Sequence, residues 1–375
     1  MIQERKNLPM PRIEALAVKN YRSLKHVELR GLTPLTLIIG ENASGKSALL
    51  DAFSFMAECM GMGIKGAVNK RGGIKNLRTW GQTGAIEVAL KYRERPEAPA
   101  TIYHLAIDEG AGGLYVAEEW MQWKRGLKGN VCRFLEFRNG KGCAIGGMAP
   151  HEHDQPVNQI LENPSSLAVD LLGQLSEYPR LTAFRRFLLN WQVDSVYGST
   201  REGLRALPKS LAAALAEMNQ RCPEELEPIR YFLQNDTPLG KYKECPDVLQ
   251  RLLEETSLSQ GMEALVSQLL RLHCRESQFL ALEQPEQALH PSLLIKLAGE
   301  YRKVLEERQV VAVTHSPLLL DTMKPEEVWM LSADSSGHTQ AYRAADMPGI
   351  RECTQQGALL GQLWTEGYFS EQSML

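Results

Sequence analysis

An eight-residue run, Gly40-Glu41-Asn42-Ala43-Ser44-Gly45-Lys46-Ser47, constrains this chain more than any other stretch, because it has the G-x-x-x-x-G-K-S spacing of a phosphate-binding loop. It stands where such a loop can work. Leu35-Thr36-Leu37-Ile38-Ile39 reads as an apolar strand before it, and Leu49, Leu50, Phe53 and Met56 recur at helical spacing after it. Gly40 and Gly45 let the backbone curl around Asn42, Ala43 and Ser44, so that consecutive N–H groups point inward at a phosphate. The helix that follows adds the positive end of its dipole. Lys46 supplies a cation for the β- and γ-phosphate oxygens, and the Ser47 hydroxyl suits Mg²⁺. The expectation is a chain that binds a nucleoside triphosphate with its Mg²⁺.

A length of 375 residues suits one large α/β domain with an insertion, or two domains. With a net charge of -3 and a pI near 6.3 there is no overall basic character, so DNA or RNA would have to be held by a local patch. Lys65, Lys70, Arg71, Lys75 and Arg78 form one such cluster and Lys124, Arg125 and Lys128 another, although solvated surface charge reads the same way. No apolar stretch approaches the ~20 residues of a bilayer span. Met1-Ile2-Gln3-Glu4-Arg5-Lys6 leads into no signal-peptide core, so a cytoplasmic protein without a membrane partner is expected. The seven cysteines are odd in number and lack a C-x-x-C pair, which argues for reduced thiols. His151-Glu152-His153-Asp154 reads as a polar loop facing water rather than a metal site.

Along the chain, strands are expected at Ile13–Val18, Val27–Leu29 and Leu35–Ile39. After the first helix and a connection at Gly61–Gly73, an antiparallel meander follows at Ile86–Tyr92, Thr101–Ile107, Leu114–Trp123 and Val131–Phe137. From Pro156 the apolar period changes to three and four residues, as in Leu167-Ala168-Leu171-Leu172-Leu175 and Phe184-Phe187-Leu188-Trp191. That is a helical block, and Pro223, Pro228, Pro238 and Pro246 make 222–257 its most variable part. Strand and helix then alternate from Gln260 to Leu331, which argues a parallel sheet with helices on both faces.

Three motifs in this last region carry chemistry. Leu258-Ser259-Gln260-Gly261 opens a helix, where Ser259 would serve equally as an ordinary N-cap. Phe279-Leu280-Ala281-Leu282-Glu283-Gln284-Pro285-Glu286 is an apolar strand delivering acids to its carboxyl edge, where ligands sit in open α/β sheets. His290-Pro291 then opens the next helix. Val310-Val311-Ala312-Val313-Thr314-His315-Ser316-Pro317 brings a histidine to the same edge.

Taken together, these motifs resemble the RecF/SMC/OLD-type branch of ABC ATPases, in particular the compact AAA_21-like predicted ATPases. Val18-Lys19-Asn20-Tyr21-Arg22-Ser23 resembles the N-[FY]-[RK]-S opening of that branch, and Gly40–Ser47 its Walker A loop. Leu258–Gly261 matches its signature, Leu282–Glu286 with His290-Pro291 its extended Walker B, Thr314-His315-Ser316-Pro317 its switch histidine, and Leu360–Gly367 its tail. The resemblance implies an α/β fold: an ABC-type ATPase head, that is, a P-loop NTPase of mixed sheet and antiparallel β subdomain, with a helical insertion. It divides the chain into an N-terminal lobe at 1–150, the insertion at 151–255 and a C-terminal lobe at 256–375. It further implies a homodimer that sandwiches two ATP molecules, each between the Walker A loop of one copy and Ser259 and Gly261 of the other. Glu283 would hold Mg²⁺, His315 would contact the γ-phosphate, and Gln82, in Trp80-Gly81-Gln82-Thr83-Gly84, would sense Mg²⁺ unless it is a plain turn residue.

One position departs from the pattern. Where the family has a water-activating glutamate, this chain has Gln284, whose amide oxygen can hold a water but cannot take its proton. Slow ATP hydrolysis is expected. Either a natural switch that relies on ATP binding, or a glutamate-to-glutamine change that traps the bound state, accounts for the residue. Glu286 is the nearby carboxylate that could substitute, and its place beyond Pro285 argues against a direct role. The resemblance points to a nucleotide-driven switch in DNA repair or anti-phage defence that controls an effector protein such as a nuclease. A non-catalytic ATP-dependent scaffold is the alternative.

Overall fold

A computed structural model describes residues 11–95, 98–124, 130–147, 154–194, 211–237, 259–273 and 277–369. Strands β1 (Arg12–Tyr21) and β2 (Leu24–Arg30) form a hairpin, and β3 (Leu35–Gly40) feeds the glycine-rich loop. Helices α1 (Lys46–Lys70) and α2 (Ile74–Leu77) follow. A meander comes next: β4 (Ile86–Arg93), β5 (Thr101–Gly110), β6 (Gly113–Lys124), β7 (Val131–Arg138), β8 (Lys141–Ala144) and β9 (Val157–Ile160). After it come α3 (Ala168–Leu172), α4 (Pro179–Leu189), β10 (Gln192–Val193), α5 (Leu211–Arg221) and α6 (Pro223–Asp236). The last part holds α7 (Gln260–His273), β11 (Phe279–Glu283), α8 (Pro291–Lys303), β12 (Gln309–Val313), α9 (Pro317–Leu320), β13 (Val328–Ala333), β14 (Thr339–Arg343), α10 (Ile350–Gln355) and α11 (Leu360–Thr365).

Two sheets result. The first, in order β2-β1-β4-β5-β6-β7-β8-β9, is antiparallel throughout. The second, β10-β11-β12-β3-β13-β14, is parallel except for β14. Its strands are apolar on both faces because both faces are covered. Ile38, Phe279, Ala281, Val311 and Val313 enter a core shared with α1 and the antiparallel sheet. Their neighbours Leu37, Ile39, Leu280, Leu282 and Ala312 enter a second core with α5 to α8. The alternation of side chains along a strand thus splits each apolar run between two cores.

Helix α1 lies between the sheets and is buried on nearly all sides. That corrects the expectation that nothing here is apolar enough to span a bilayer: α1, at 25 residues, passes by length and composition, yet 72% of its apolar window is buried inside the protein. Its apolarity serves one core, shared by the two sheets, rather than lipid.

The interval read as one helical insertion, 151–255, is divided instead. Phe184 and Phe187 of α4 pack on Tyr92 of the meander, β9 extends the antiparallel sheet, and β10 joins the parallel one, while Leu226, Ile229 and Phe232 of α6 belong to the second core. Short strands of two and four residues give too little periodicity to be read in sequence. Pro223 and Pro228 sit within α6, Pro223 at the first-turn position where its missing N–H costs nothing. Pro238, Pro246, Leu258, Arg125, Lys128, and His151, Glu152 and His153 lie outside the described residues. Among those described, five cysteines are free thiols and no cluster of His, Cys, Asp and Glu could hold a metal.

Candidate nucleotide site

The loop is shaped by close approaches that only glycine permits. A Cβ on Gly40 would meet the Leu331 carbonyl oxygen at 2.2 Å, and one on Gly45 would meet Thr339 Oγ1 at 2.0 Å. Gly45 has φ of 98° and forms the N-cap of α1 with no side-chain cap, so the first N–H groups of the helix are left for a ligand. Asn42 and Ala43 stand exposed, Ala43 with φ of 65°, while Ser44 is buried. Lys46 folds back over the loop, its Nζ donating to the carbonyls of Gly40 (2.9 Å) and Glu41 (2.6 Å). Burial pulls this ammonium below its ordinary range, against the carboxylates of Glu283 and Glu41.

Three parallel strands end at the same edge. β11 delivers Glu283, whose Oε1 accepts the Ser47 hydroxyl at 2.6 Å across 236 residues of sequence. Gln284 turns the chain with φ of 47°, and its N–H donates to the Val313 carbonyl of β12 (2.8 Å). The turn continues as Gln287 N–H bonds the Gln284 carbonyl (3.0 Å). His315 follows β12, and its N–H donates to Glu286 Oε1 at 2.7 Å. Burial and then the Lys46 ammonium lower the basicity of His315, and Glu286 opposes them, so the imidazole is neutral at pH 7.

The helix that begins after Ser259 lies along this turn. Ser259 is exposed and its Oγ accepts the Met262 N–H at 3.4 Å, as an N-cap does. A Cβ on Gly261 would approach the Ala288 carbonyl oxygen at 2.6 Å. Farther along α7, Gln268 Nε2 donates to the Pro285 carbonyl at 2.7 Å. His290 caps α8 by accepting the Ser292 N–H, and Gly361 lets α11 approach the Pro317 carbonyl just past His315.

The Asn20–Ser23 segment proves to be a brace. Asn20 Nδ2 donates to the carbonyls of Gly84 (3.1 Å) and Ala85 (3.2 Å), Tyr21 OH to Asp51 of α1 (2.6 Å), and Ser23 Oγ meets Thr339 Oγ1 at 3.0 Å beneath Gly45. Gln82 lines a surface hollow with Lys19, Asn20, Lys25 and His26. In the basic cluster, which reads either as a phosphate-binding patch or as solvated surface charge, Arg71 fits neither: it is 3% exposed and pairs with Asp51 and Glu58, and Lys70 pairs with Glu58. Missed in sequence was Asp194, at the end of β10 beside Glu283, paired with Arg271 and raised in pKa by burial. A valine followed by an acid was its signal, too short to stand out.

Both ends of the chain match known family models. Residues 12–103 match AAA_15, an AAA ATPase domain, and residues 239–321 match AAA_21, described as an AAA domain, putative AbiEii toxin, Type IV TA system. The first holds the glycine-rich loop and the second holds Ser259, Glu283 and His315. Both ends are thus similar to ATPases of the RecF/SMC kind. Over 50 residues, 13% of this chain and 14% of the relative, the chain is 42% identical to the DNA replication and repair protein RecF of Saccharophagus degradans. Solved structures similar to it include an Smc head bound to the C-winged helix domain of ScpA, at 12% identity over 88% of this chain and 96% of that one, with a TM-score of 0.49. Another is an SMC head domain from Thermotoga maritima, at 14% identity over 88% and 98%, with a TM-score of 0.43. Gly40–Ser47 therefore stands where such ATPases have the Walker A loop, Leu282–Glu286 where they have the Walker B turn, and His315 where they have the switch histidine.

Proposed function

We propose that this chain is an ABC-type ATPase of the RecF/SMC kind that binds ATP with Mg²⁺ at its Walker A loop and acts as a dimeric switch, two copies closing head to tail on two nucleotides to control a partner effector such as a nuclease. One observation carries the reading: the 2.6 Å bond between Ser47 Oγ and Glu283 Oε1, which joins the two ends of the chain at a lysine-lined loop. A hydroxyl and a carboxylate are the hard oxygen donors that Mg²⁺ takes, and the uncapped start of α1 fits a phosphate. When bound, the nucleotide supplies a γ-phosphoryl group for transfer to water, and Mg²⁺ neutralises its oxygens.

Every other task falls to the chain. Lys46 and the loop N–H groups hold phosphate, neutral His315 offers a hydrogen bond at the edge, and Gln284 orients a water through its amide oxygen. Ser259 is exposed at the start of α7, and among the described residues no hydrogen bond joins it to the Walker A loop, so a second copy is its natural counterpart. Similarity to a DNA replication and repair protein and to a putative toxin family supports a setting in DNA repair or toxin-based defence, with DNA or RNA as a further partner. Gln284 favours a second reading, a non-catalytic scaffold whose assembly follows ATP binding alone. Titration of ATP into the chain, with phosphate release measured with and without DNA, tests both. Binding with turnover supports the switch, binding without turnover the scaffold, and no binding refutes the two together.

A further inference from the structure

Gln284 leaves the Walker B turn without a base at the expected position, but a carboxylate on the same turn has a free oxygen. Glu286 spends Oε1 on the His315 N–H at 2.7 Å. Its Oε2 is shut off from solvent and has no hydrogen-bond partner among the described residues. A buried carboxylate oxygen with no donor is costly, and it calls for a donor that arrives with a ligand. Glu286 acts electrostatically on His315 at the strand edge and on the buried Tyr301 of α8. Two residues earlier, the positive φ of Gln284 and its bond to Val313 hold the turn that presents both side chains.

Building on the ATP-binding reading above, we propose that Glu286, not Gln284, accepts the proton of the attacking water. Gln284 would hold the water and Glu286 Oε2 would take its proton as the water oxygen bonds the γ-phosphorus. The bond from that phosphorus to the bridging oxygen breaks, its electron pair stays with ADP, and Glu286 passes the proton to the departing phosphate. His315, tied to Glu286 by its own N–H, keeps the carboxylate at the edge.

The test compares the parent chain, Glu286→Gln, Gln284→Glu and the double variant, by ATP affinity, single-turnover phosphate release and thermal midpoint without nucleotide. Glu286→Gln keeps an acceptor for the His315 N–H and removes only basicity. It should bind ATP as the parent does, release phosphate at least about 10²-fold more slowly, and melt no lower. In the Gln284→Glu background the same change should cost less than about threefold, because a glutamate at 284 then takes the proton. The proposal is overturned by a parent that binds ATP and never releases phosphate, by Glu286→Gln working at the parent's rate, by equal losses in both backgrounds, or by a lowered midpoint, which would mean that Oε2 has a structural partner. Failure of the ATP-binding reading itself looks different: none of the four chains would bind ATP, and the proposal would fall with it.

Discussion

Lys46 illustrates how a residue can be essential to a ligand and nearly irrelevant to the fold. Its ammonium bonds carbonyls of its own loop, which water could satisfy equally well, whereas a triphosphate has no other loop cation to meet. Lys46→Ala should therefore weaken binding of a fluorescent ATP analogue about a hundredfold, the equivalent of the ~3 kcal/mol of a strong charged hydrogen bond, in a chain that melts normally. Unchanged affinity would remove the loop from the account. Arg71 is the reverse case. Its guanidinium lies among Asp51, Ser54 and Glu58, which share one face of α1, and it also bonds the Ala67 carbonyl. Arg71→Met should lower unfolding stability in urea by about 3–5 kcal/mol, because two buried carboxylates lose their shared cation. A loss below about 1 kcal/mol would show that Arg22, Tyr21 and Lys70 suffice for them. The sequence carried a hint of this: Asp51, Ser54 and Glu58 recur at three and four residues on a helix otherwise apolar, a polar line that needs a partner. A row of lysines and arginines in one connection suggested a surface instead.

At the scale of elements, legibility followed length and period. β4 to β7 alternate over eight residues or more and were readable, as were β3, β11 and β12, whose unbroken apolar runs reflect burial on both faces. β10 was not, since two residues define no period, and Asp194 was lost with it. Nor could sequence show that β3 leaves the antiparallel lobe, because pairing with β12 and β13 joins residues nearly three hundred positions apart. Another contact of this kind sets a pH dependence. Glu119, wholly buried on β6, accepts the N–H groups of Ala168 (2.6 Å) and Val169 (3.0 Å) at the start of α3, and the Tyr103 hydroxyl. Burial raises its pKa from 4.5 to about 7, against those three donors. The unfolded carboxyl releases its proton first, so the folded state is favoured below pH 4.5 and loses that advantage as pH rises to about 7, by up to roughly 3 kcal/mol. Urea midpoints of the parent and Glu119→Gln at pH 5 and pH 8 should diverge, the parent losing more on going to pH 8. A gap that does not change with pH would contradict the shift.

For the whole molecule, the site exists because two sheets made from distant parts of the chain are held at fixed distance. Gln309 bonds Ile13 through both its amide groups at one end of the junction, and Thr339 meets Ser23 at the other, directly under the Walker A loop. The strand edge therefore gathers β3 from the first lobe and β11 and β12 from the last, and under the proposed function it would present one half of a sandwich whose other half is Ser259 and Gly261 of a second copy. The sequence made both halves legible as motifs, while their being halves of one composite site rests on Ser259 standing exposed. The most direct test is the mass in solution of the chain and of Ser259→Arg, each with and without ATP and Mg²⁺, alongside bound nucleotide per chain. ATP should convert the parent from monomer to dimer, and Ser259→Arg should bind ATP equally yet stay monomeric, because an arginine fills the space meant for the other copy's phosphate. A parent whose mass ignores ATP, or a Ser259→Arg chain that still dimerises with it, would contradict the switch.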